Sequence, residues 1–157
     1  MAQKKKIFTL CIVHQEGKVL LGMKKRGFGK DRWNGFGGKV QEQESIEEAM
    51  FRELKEEAGI TPLSFEKRAL LEFHFQGKPE YLEVHVFHTS SFAGEPAETE
   101  EMKPQWFSQK DIPFEDMWPD DKHWFPLFLQ GKKFKGVFLF QDKNIIRDHT
   151  LKEVDSL

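Results

Sequence analysis

Residues 37–60, GGKVQEQESIEEAMFRELKEEAGI, contain the clearest structural signal in the chain. Ser45 followed three residues later by Glu48 is a capping box, so a helix is predicted to begin here. The apolar residues that recur at helical spacing would form a buried stripe, and they are Ile46, Ala49, Met50 and Leu54. Gly59 is a typical C-terminal stop. The segment therefore predicts an amphipathic helix that ends near Gly59.

The predicted helix carries three acidic residues on one face. Glu53, Glu56 and Glu57 stand at positions i, i+3 and i+4, where like charges repel one another and weaken a helix. Carboxylates clustered on a rigid element suit a hard cation such as Mg²⁺, which proteins hold through a few carboxylates together with substrate phosphates. A solvated acidic face is the ordinary alternative. The helix alone leaves both interpretations open.

Composition and charge exclude several classes of protein. The chain has 157 residues, of which 38% are hydrophobic and 32% charged, as expected for one globular domain spanning residues 1–157. The net charge of −2 argues against general nucleic-acid binding, which needs a basic surface. The single cysteine, Cys11, excludes an internal disulfide and fits a reducing compartment. Because Cys11 lies in an apolar run, we expect a buried structural thiol.

The N-terminal MAQKKK contains no apolar signal region, and no apolar run approaches the length of a membrane span. We therefore expect a cytoplasmic protein that does not associate with membranes. The aromatic residues are mostly phenylalanine, with 16 Phe and four Trp but only one Tyr. Many of these rings must fill the core, and others could line a pocket for a flat ligand.

The remaining segments predict strands on both sides of the helix. Alternating apolar residues and turn signals predict strands at 6–13, 18–23, 63–75, 81–88, 105–107, 135–140 and 145–154. Residues 90–104 are polar and acidic and predict a loop. A second helix is predicted over 120–129, with Pro119 at its start. Mixed strands with one helix in each half of the chain indicate an α/β sandwich.

A glycine-rich segment, 33–40, leads directly into the acidic helix. Glycines allow the backbone to approach a ligand closely or to take positive φ. An ordinary turn is the alternative, but the direct attachment to the carboxylate helix favours a ligand site. Asn34 in this segment offers both a donor and an acceptor to the edge of a base.

The spacing of nine residues in and around the helix resembles the signature of the Nudix hydrolases. The pattern is Gly38-x5-Glu44-x7-Arg52-Glu53-Leu54-x-Glu56-Glu57-x-Gly59-Ile60. The resemblance implies a Nudix-type α/β/α sandwich, with a mixed sheet between two helices. It also implies Mg²⁺-dependent hydrolysis of a nucleoside diphosphate linked to another group, with Mn²⁺ as an alternative cation.

The same resemblance assigns roles to the acidic residues. It implies that Glu53, Glu56 and Glu57 are metal ligands. One of the three could also act as general base on the attacking water, and although the spacing does not say which, Glu57 and Glu53 are the leading candidates. Arg52 and Glu44 would orient the carboxylates through charge-assisted hydrogen bonds. Two further metal ligands are implied, and they are the backbone carbonyl of Gly37 and the loop acid Glu101. A solvated loop is the alternative for Glu101.

Several segments that extend beyond this signature resemble the eukaryotic Nudix hydrolases of oxidised purine nucleoside triphosphates. They are 23–41 (MKKRGFGKDRWNGFGGKVQ), 84–87 (VHVF), 116–121 (DMWPDD), 124–126 (WFP) and 150–156 (TLKEVDS). This resemblance implies a monomer that converts 8-oxo-dGTP, 2-hydroxy-dATP or other modified purine nucleotides to the monophosphate and pyrophosphate. Such an enzyme removes damaged nucleotides from the pool before DNA synthesis, and the implied locations extend to the mitochondrial matrix and the nucleus.

The resemblance also implies a set of substrate-binding residues. They are Thr9, Lys24, Phe28, Asn34, Phe36, Gly37, Gly38, Lys39, Phe73, Trp118, Pro119, Asp120 and Asp121. Leu82 departs from the methionine expected in the pocket wall, and this leaves the preference among modified purines open.

Asp120 and Asp121 are adjacent acids beside Trp118. Burial against aromatic rings raises the pKa of a carboxyl group, and a second carboxylate nearby raises it further. A protonated Asp donates a hydrogen bond whereas an ionised Asp only accepts, so a pair sharing one proton could complement two different purine edges. The alternative is an acid pair favoured by the dipole at a helix N-terminus.

Three rival functions follow from the sequence. The first is a Nudix hydrolase of another nucleotide, such as ADP-ribose, a dinucleoside polyphosphate or a cap. The second is a non-catalytic Nudix-fold binding protein, which we would expect to lack carboxylates that are intact here. The third is a structural protein with an acidic helix, which would show no phosphate release that depends on a divalent cation.

Overall fold

Two helices cover opposite faces of one mixed sheet in this computed structural model, which describes residues 3–157. The strands are β1 (Lys4–Gln15), β2 (Lys18–Lys24), β3 (Trp33–Asn34), β4 (Thr61–Phe75), β5 (Glu80–Ala93), β6 (Met102–Ser108), β7 (Lys133–Asp142) and β8 (Ile145–Val154). The helices are α1 (Ile46–Ala58) and α2 (Asp121–Leu129). The first two residues of MAQKKK, on which the prediction about a signal region partly rests, lie outside the described residues.

The sheet is mixed because two of its strand pairs are parallel. β1 pairs in parallel with β5, and β4 pairs in parallel with β7, whereas the other neighbours are antiparallel. The strand order is β3-β2-β1-β5-β4-β7-β8, and β6 pairs with β2. The predicted α/β class, with a mixed sheet between two helices, is confirmed.

The two faces of the sheet bury different apolar clusters. Cys11 and Val13 on β1 pack with Met50 and Leu54 of α1, whereas the intervening Ile12 faces the cluster beneath α2. This alternation follows from the two-residue period of a strand. Cys11 is fully buried, and burial raises the pKa of its thiol to about 12, as expected for a structural cysteine.

Both ends of α1 are capped as the sequence predicts. The Ser45 hydroxyl accepts from the Glu48 N–H at 3.1 Å, and the Glu48 carboxylate accepts from the Ser45 N–H at 2.8 Å. At the other end Gly59 adopts φ +75°, and its N–H donates to the Lys55 carbonyl. These contacts satisfy backbone groups that a helix end leaves without intrahelical partners.

The predicted loop over 90–104 is too long. β5 continues to Ala93, and β6 begins at Met102, because these residues pair with strands that are distant in the chain. The polar composition of 90–104 gave no strand signal at either end, because these residues are held in strands by backbone hydrogen bonds to distant partner strands. The second helix begins at Asp121, one residue later than predicted, and buries Trp124, Phe125 and Phe128.

Within residues 3–157, neither helix has the length and apolar character needed to cross a membrane.

Candidate functional site

A cavity of about 270 Å³ lies where α1, the glycine-rich segment and the start of α2 meet the sheet. Glu57 of α1 lines it, and so do Asp120 and Asp121. Aromatic and aliphatic side chains form much of the remaining wall, and they are Phe8, Leu10, Phe28, Phe73, Phe75, Leu82, Val84, Met102, Trp118 and Phe140. The cavity therefore combines the acidic helix with the adjacent aspartates.

Glu57 is the most buried acid of α1, with 3% of the residue exposed. Its Oε1 accepts from the Gly37 N–H at 2.8 Å, and its Oε2 lies 3.8 Å from the Lys24 ammonium. Burial raises the pKa of Glu57 to about 8, against the effect of the Gly37 hydrogen bond, and the charges of Glu53 and Glu101 raise it further. Burial therefore disfavours the ionised form of the Glu57 carboxyl group.

Arg52 forms ion pairs with three acids, Glu44 before α1 and Glu53 and Glu56 within it. Its guanidinium donates two hydrogen bonds to Glu44, at 2.6 and 3.0 Å, and one to Glu53 at 2.8 Å. Glu56 lies 3.3 Å from the same guanidinium, with 56% of its side chain exposed. The Arg52 hydrogen bonds lower the pKa of Glu44 to about 2, whereas burial raises the pKa of Glu53. Glu44 and Arg52 thus form a charge-assisted pair that orients Glu53.

The glycine-rich segment lies against these acids so closely that side chains would not fit. A Cβ on Gly37 would lie 1.9 Å from the Thr9 carbonyl oxygen, and a Cβ on Gly38 would lie 2.6 Å from the Glu53 carboxyl. The glycines therefore allow close approach of the backbone to both β1 and α1.

Glu101, in the loop before β6, does not line the cavity but contacts Lys24, which does. Its carboxylate accepts from Lys24 at 3.1 Å and from Arg26 at 3.0 Å, and these two contacts lower its pKa. Within the described part of the chain, residues 3–157, no three His, Cys, Asp or Glu side chains are already arranged to hold a metal ion. The acids predicted to bind a metal lie near one another. In this structure they form ion pairs with the basic side chains of Lys24, Arg26 and Arg52.

Asp120 and Asp121 are almost completely buried, with 4% and 3% of each residue exposed. The Trp124 indole N–H donates to Asp120 Oδ2 at 2.8 Å, whereas Asp121 Oδ2 has no hydrogen-bond partner. Burial raises the pKa of Asp120 to about 6, and burial together with the charge of Asp120 raises the pKa of Asp121 well above its usual range. Asp121 is therefore the member of the pair that more readily keeps a proton.

Trp118 stands beside the aspartates and contacts two groups from the loop after β2. The Phe28 ring is 4.9 Å from the Trp118 ring between centroids, and 72% of Phe28 is exposed. The Arg32 guanidinium lies 4.3 Å from the Trp118 centroid. Arg32 is not among the residues that the sequence predicts for the site, because no spacing pattern marks its contact with a tryptophan far along the chain.

Most of the predicted substrate-binding residues line one cavity. Those that do are Thr9, Lys24, Phe28, Asn34, Gly37, Gly38, Phe73, Trp118, Asp120 and Asp121. Three others do not line it. The Phe36 ring is fully buried in the cluster beneath α1, Lys39 is exposed, and Pro119 is only partly buried. Phe36 is thus a core residue, and this corrects its assignment as a substrate contact.

Comparison with known proteins places these features in a family. Residues 4–128 match the model of the NUDIX domain. The chain is 54% identical over 151 residues to the oxidized purine nucleoside triphosphate hydrolase of Mus musculus, covering 96% of this chain and 97% of the relative. It is 53% identical to the protein of the same name from Danio rerio, covering 97% of each chain.

A solved structure shares the same arrangement of elements. The crystal structure of a MutT protein from Bacillus halodurans superposes with a TM-score of 0.84 at 27% identity, covering 94% of this chain and 97% of that one. Because the family model matches most of the chain, this protein belongs to the Nudix hydrolase family.

Proposed function

We propose that this protein hydrolyses oxidised purine nucleoside triphosphates, 8-oxo-dGTP and 2-hydroxy-dATP among them, to the monophosphate and pyrophosphate. The observation that carries the proposal is that Glu57 and the buried aspartates Asp120 and Asp121 line the same cavity. The acidic helix supplies groups for phosphate chemistry, and the aspartates supply groups for reading a base. The names of the mouse and fish relatives support the same substrate class.

Nudix hydrolases generally require a divalent cation, and the residues present fit one. Glu53 and Glu101 both raise the pKa of the buried Glu57, so these carboxylates already interact unfavourably as anions. We assign the cation to Mg²⁺, with Mn²⁺ as a substitute, because oxygen donors suit both. The groups that would hold it are Glu53, Glu56, Glu57, Glu101 and the Gly37 carbonyl. When bound, a divalent cation neutralises phosphate charge and lowers the pKa of bound water.

Near α1, other groups of the protein fix the positions of the carboxylates and offset their negative charge. Arg52, held by Glu44, keeps Glu53 in place, and Lys24 lies between Glu57 and Glu101. The Gly37 N–H fixes one oxygen of Glu57. The general base is Glu53 or Glu57.

The base end of the cavity can present more than one hydrogen-bonding pattern. If Asp121 keeps a proton while Asp120 is ionised, the pair offers one donor and one acceptor. If that proton moved to the other carboxyl group, the donor and the acceptor would exchange places. The pair could then bind either the keto edge or the amino edge of a purine. Trp118, Phe28 and Phe73 supply flat or apolar walls for the purine.

The first test is a side-by-side assay of 8-oxo-dGTP, 2-hydroxy-dATP and dGTP with and without Mg²⁺, following pyrophosphate release. We expect Mg²⁺-dependent turnover with kcat/KM highest for the oxidised substrates. Asp120→Asn should reduce that preference while leaving the Mg²⁺ dependence unchanged. Equal turnover of all three nucleotides by the wild-type protein would contradict the proposed specificity but keep the Nudix chemistry.

The wider role follows from this specificity. We infer that the protein acts as a monomer on free nucleotides in the cytoplasm, mitochondrial matrix and nucleus. There it would remove oxidised precursors before they are incorporated into DNA. Light scattering coupled to gel filtration tests the monomer, and fractionation of cells expressing the full chain tests the locations.

A further inference from the structure

Arg32 joins the wall of the base pocket to a distant hairpin. It ends the loop between β2 and β3, where its N–H donates to the Gly29 carbonyl at 3.1 Å and its carbonyl accepts from Lys24 at 3.1 Å. Its guanidinium crosses to the turn between β7 and β8. There one nitrogen donates to the Lys143 carbonyl at 2.9 Å and another donates to the Asn144 side-chain oxygen.

The same guanidinium lies over the Trp118 ring, 4.3 Å from its centroid. A guanidinium is planar and weakly hydrated, so it can stack on an indole while its edge makes hydrogen bonds in its own plane. One guanidinium therefore contacts both the Trp118 ring and the β7–β8 turn. The other rings that contact Trp118 are Phe28, which is mostly exposed, and Phe140, whose centroid lies 6.2 Å away.

We propose that Arg32 is a positioning residue for base recognition, fixing Trp118 by stacking on it from an anchor on the β7–β8 turn. This rests on the proposed function and adds to it a specificity-determining residue outside the cavity lining. Arg32 acts through Trp118 and does not contact the reacting phosphates. Its charge also lowers the pKa of both Asp120 and Asp121, which is consistent with a place beside the base-reading acids.

The test is a double-mutant cycle between Arg32 and Asn144. Arg32→Ala should raise KM for 8-oxo-dGTP about five- to tenfold, as expected for loss of a partly buried cation–π contact, with kcat within about twofold of wild type. Asn144→Ala, which lies outside the cavity, should raise KM less. In the double variant, Asn144→Ala should add nothing, because the anchor has no function without Arg32.

Lys143→Ala is the matched control, because it keeps the backbone carbonyl that Arg32 uses and removes only an adjacent side chain. It should leave KM unchanged. Arg32→Lys should restore little, because an ammonium does not offer the planar face and the two-point contact of a guanidinium.

A second readout needs no substrate. Arg32→Ala should change the tryptophan emission of the wild-type protein and leave the emission of a Trp118→Phe protein unchanged. Unchanged emission in both backgrounds, or additive effects of Arg32 and Asn144 on KM, would overturn the proposal. If the wild-type protein shows no preference for the oxidised nucleotide, the proposed function fails, and this inference fails with it. A normal wild-type preference with unaltered KM in Arg32→Ala overturns this inference alone.

Discussion

At the scale of single residues, the site depends on carboxyl groups whose surroundings differ. Glu44 is stabilised as an anion by Arg52, whereas burial raises the pKa of Glu57, Asp120 and Asp121. Groups with strongly shifted pKa values in one cavity are typical of functional sites. The two ends of the cavity can therefore be tested separately by single substitutions.

Glu57→Gln should lower kcat by about 100-fold or more, because an amide cannot ionise to hold the proposed divalent cation as a carboxylate does. The amide keeps the shape of the side chain, so the melting temperature should not fall. Glu47→Gln, on the exposed face of the same helix, is the matched control and should retain full activity. A Glu57→Gln protein with normal turnover would exclude Glu57 from the chemistry.

Trp124→Phe should weaken the preference for oxidised purines, because it removes the N–H that donates to Asp120 and leaves a buried acceptor unpaired. The loss of that hydrogen bond should also cost about 1–3 kcal/mol in the free energy of unfolding. Steady-state kinetics on two nucleotides and denaturant unfolding measure the two effects.

The control for Trp124→Phe is Trp106→Phe, in the cluster on the other face of the sheet. It should lower stability through lost packing without changing the ratio of kcat/KM between nucleotides. A similar change in that ratio for both variants would mean that the Trp124 effect is one of general stability.

At the scale of elements, α1 is specified by local signals that agree with one another. Its capping box, apolar stripe and terminal glycine all occur within the helix or directly beside it. The helix then serves two purposes, because one face packs on the sheet through Met50 and Leu54 while the next presents Glu53 and Glu57. The start of α2 similarly presents Asp121 while burying Trp124.

Ser45→Ala should lower the free energy of unfolding by about 1 kcal/mol, because it removes the acceptor for the Glu48 N–H at the start of α1. Activity at low temperature should be nearly unchanged, since the acids lie on later turns. Urea unfolding and a steady-state assay on the same sample measure both quantities. Ser156→Ala, at an exposed position near the C-terminus, is the control and should change neither.

At the scale of the whole molecule, one sheet holds both ends of the cavity in place. β1 lies between β2 and β5, and the cavity draws lining residues from strands as distant in sequence as β1 and β7. Acids that are buried in the cavity then affect the stability of the entire fold, because an acid with a raised native pKa favours the protonated native state.

The stability of the protein without divalent cations should therefore depend on pH through the aspartate pair. For an acid whose pKa is higher in the folded state, the stabilising contribution is present at low pH and is lost as pH rises towards the folded pKa. Asp120, whose pKa is raised from 3.8 to about 6, contributes between those two values, and the contribution of Asp121 starts from the same unfolded pKa of 3.8 and extends to higher pH. Asp121→Asn should be more stable than wild type at pH 7, by about 1–3 kcal/mol, and the difference should shrink as pH falls towards 4.

Chemical unfolding of both proteins from pH 4 to 8 measures this difference. His88, whose pKa burial lowers to about 4, acts in the opposite direction but is present in both proteins and cancels in the comparison. A difference in stability that does not vary with pH would show that Asp121 is not protonated preferentially in the folded state.

The amino-acid sequence by itself determined the acidic helix, its caps, most of the strands and the two groups of acids. These are local patterns, since the hydrogen bonds and apolar faces that define them recur within a few residues. The resemblance to Nudix hydrolases added the site residues, most of which line one cavity.

Only the tertiary structure decided which side chains face that cavity and what surrounds them. Phe36 could not be separated from Asn34 by sequence, because burial under α1 depends on the packing of the glycine-rich segment against β1. The extra length of β5 and β6 depends on strands elsewhere in the chain. The contact of Arg32 with Trp118, and the near-complete burial of Asp121, likewise arise from segments that meet only when the sheet is assembled.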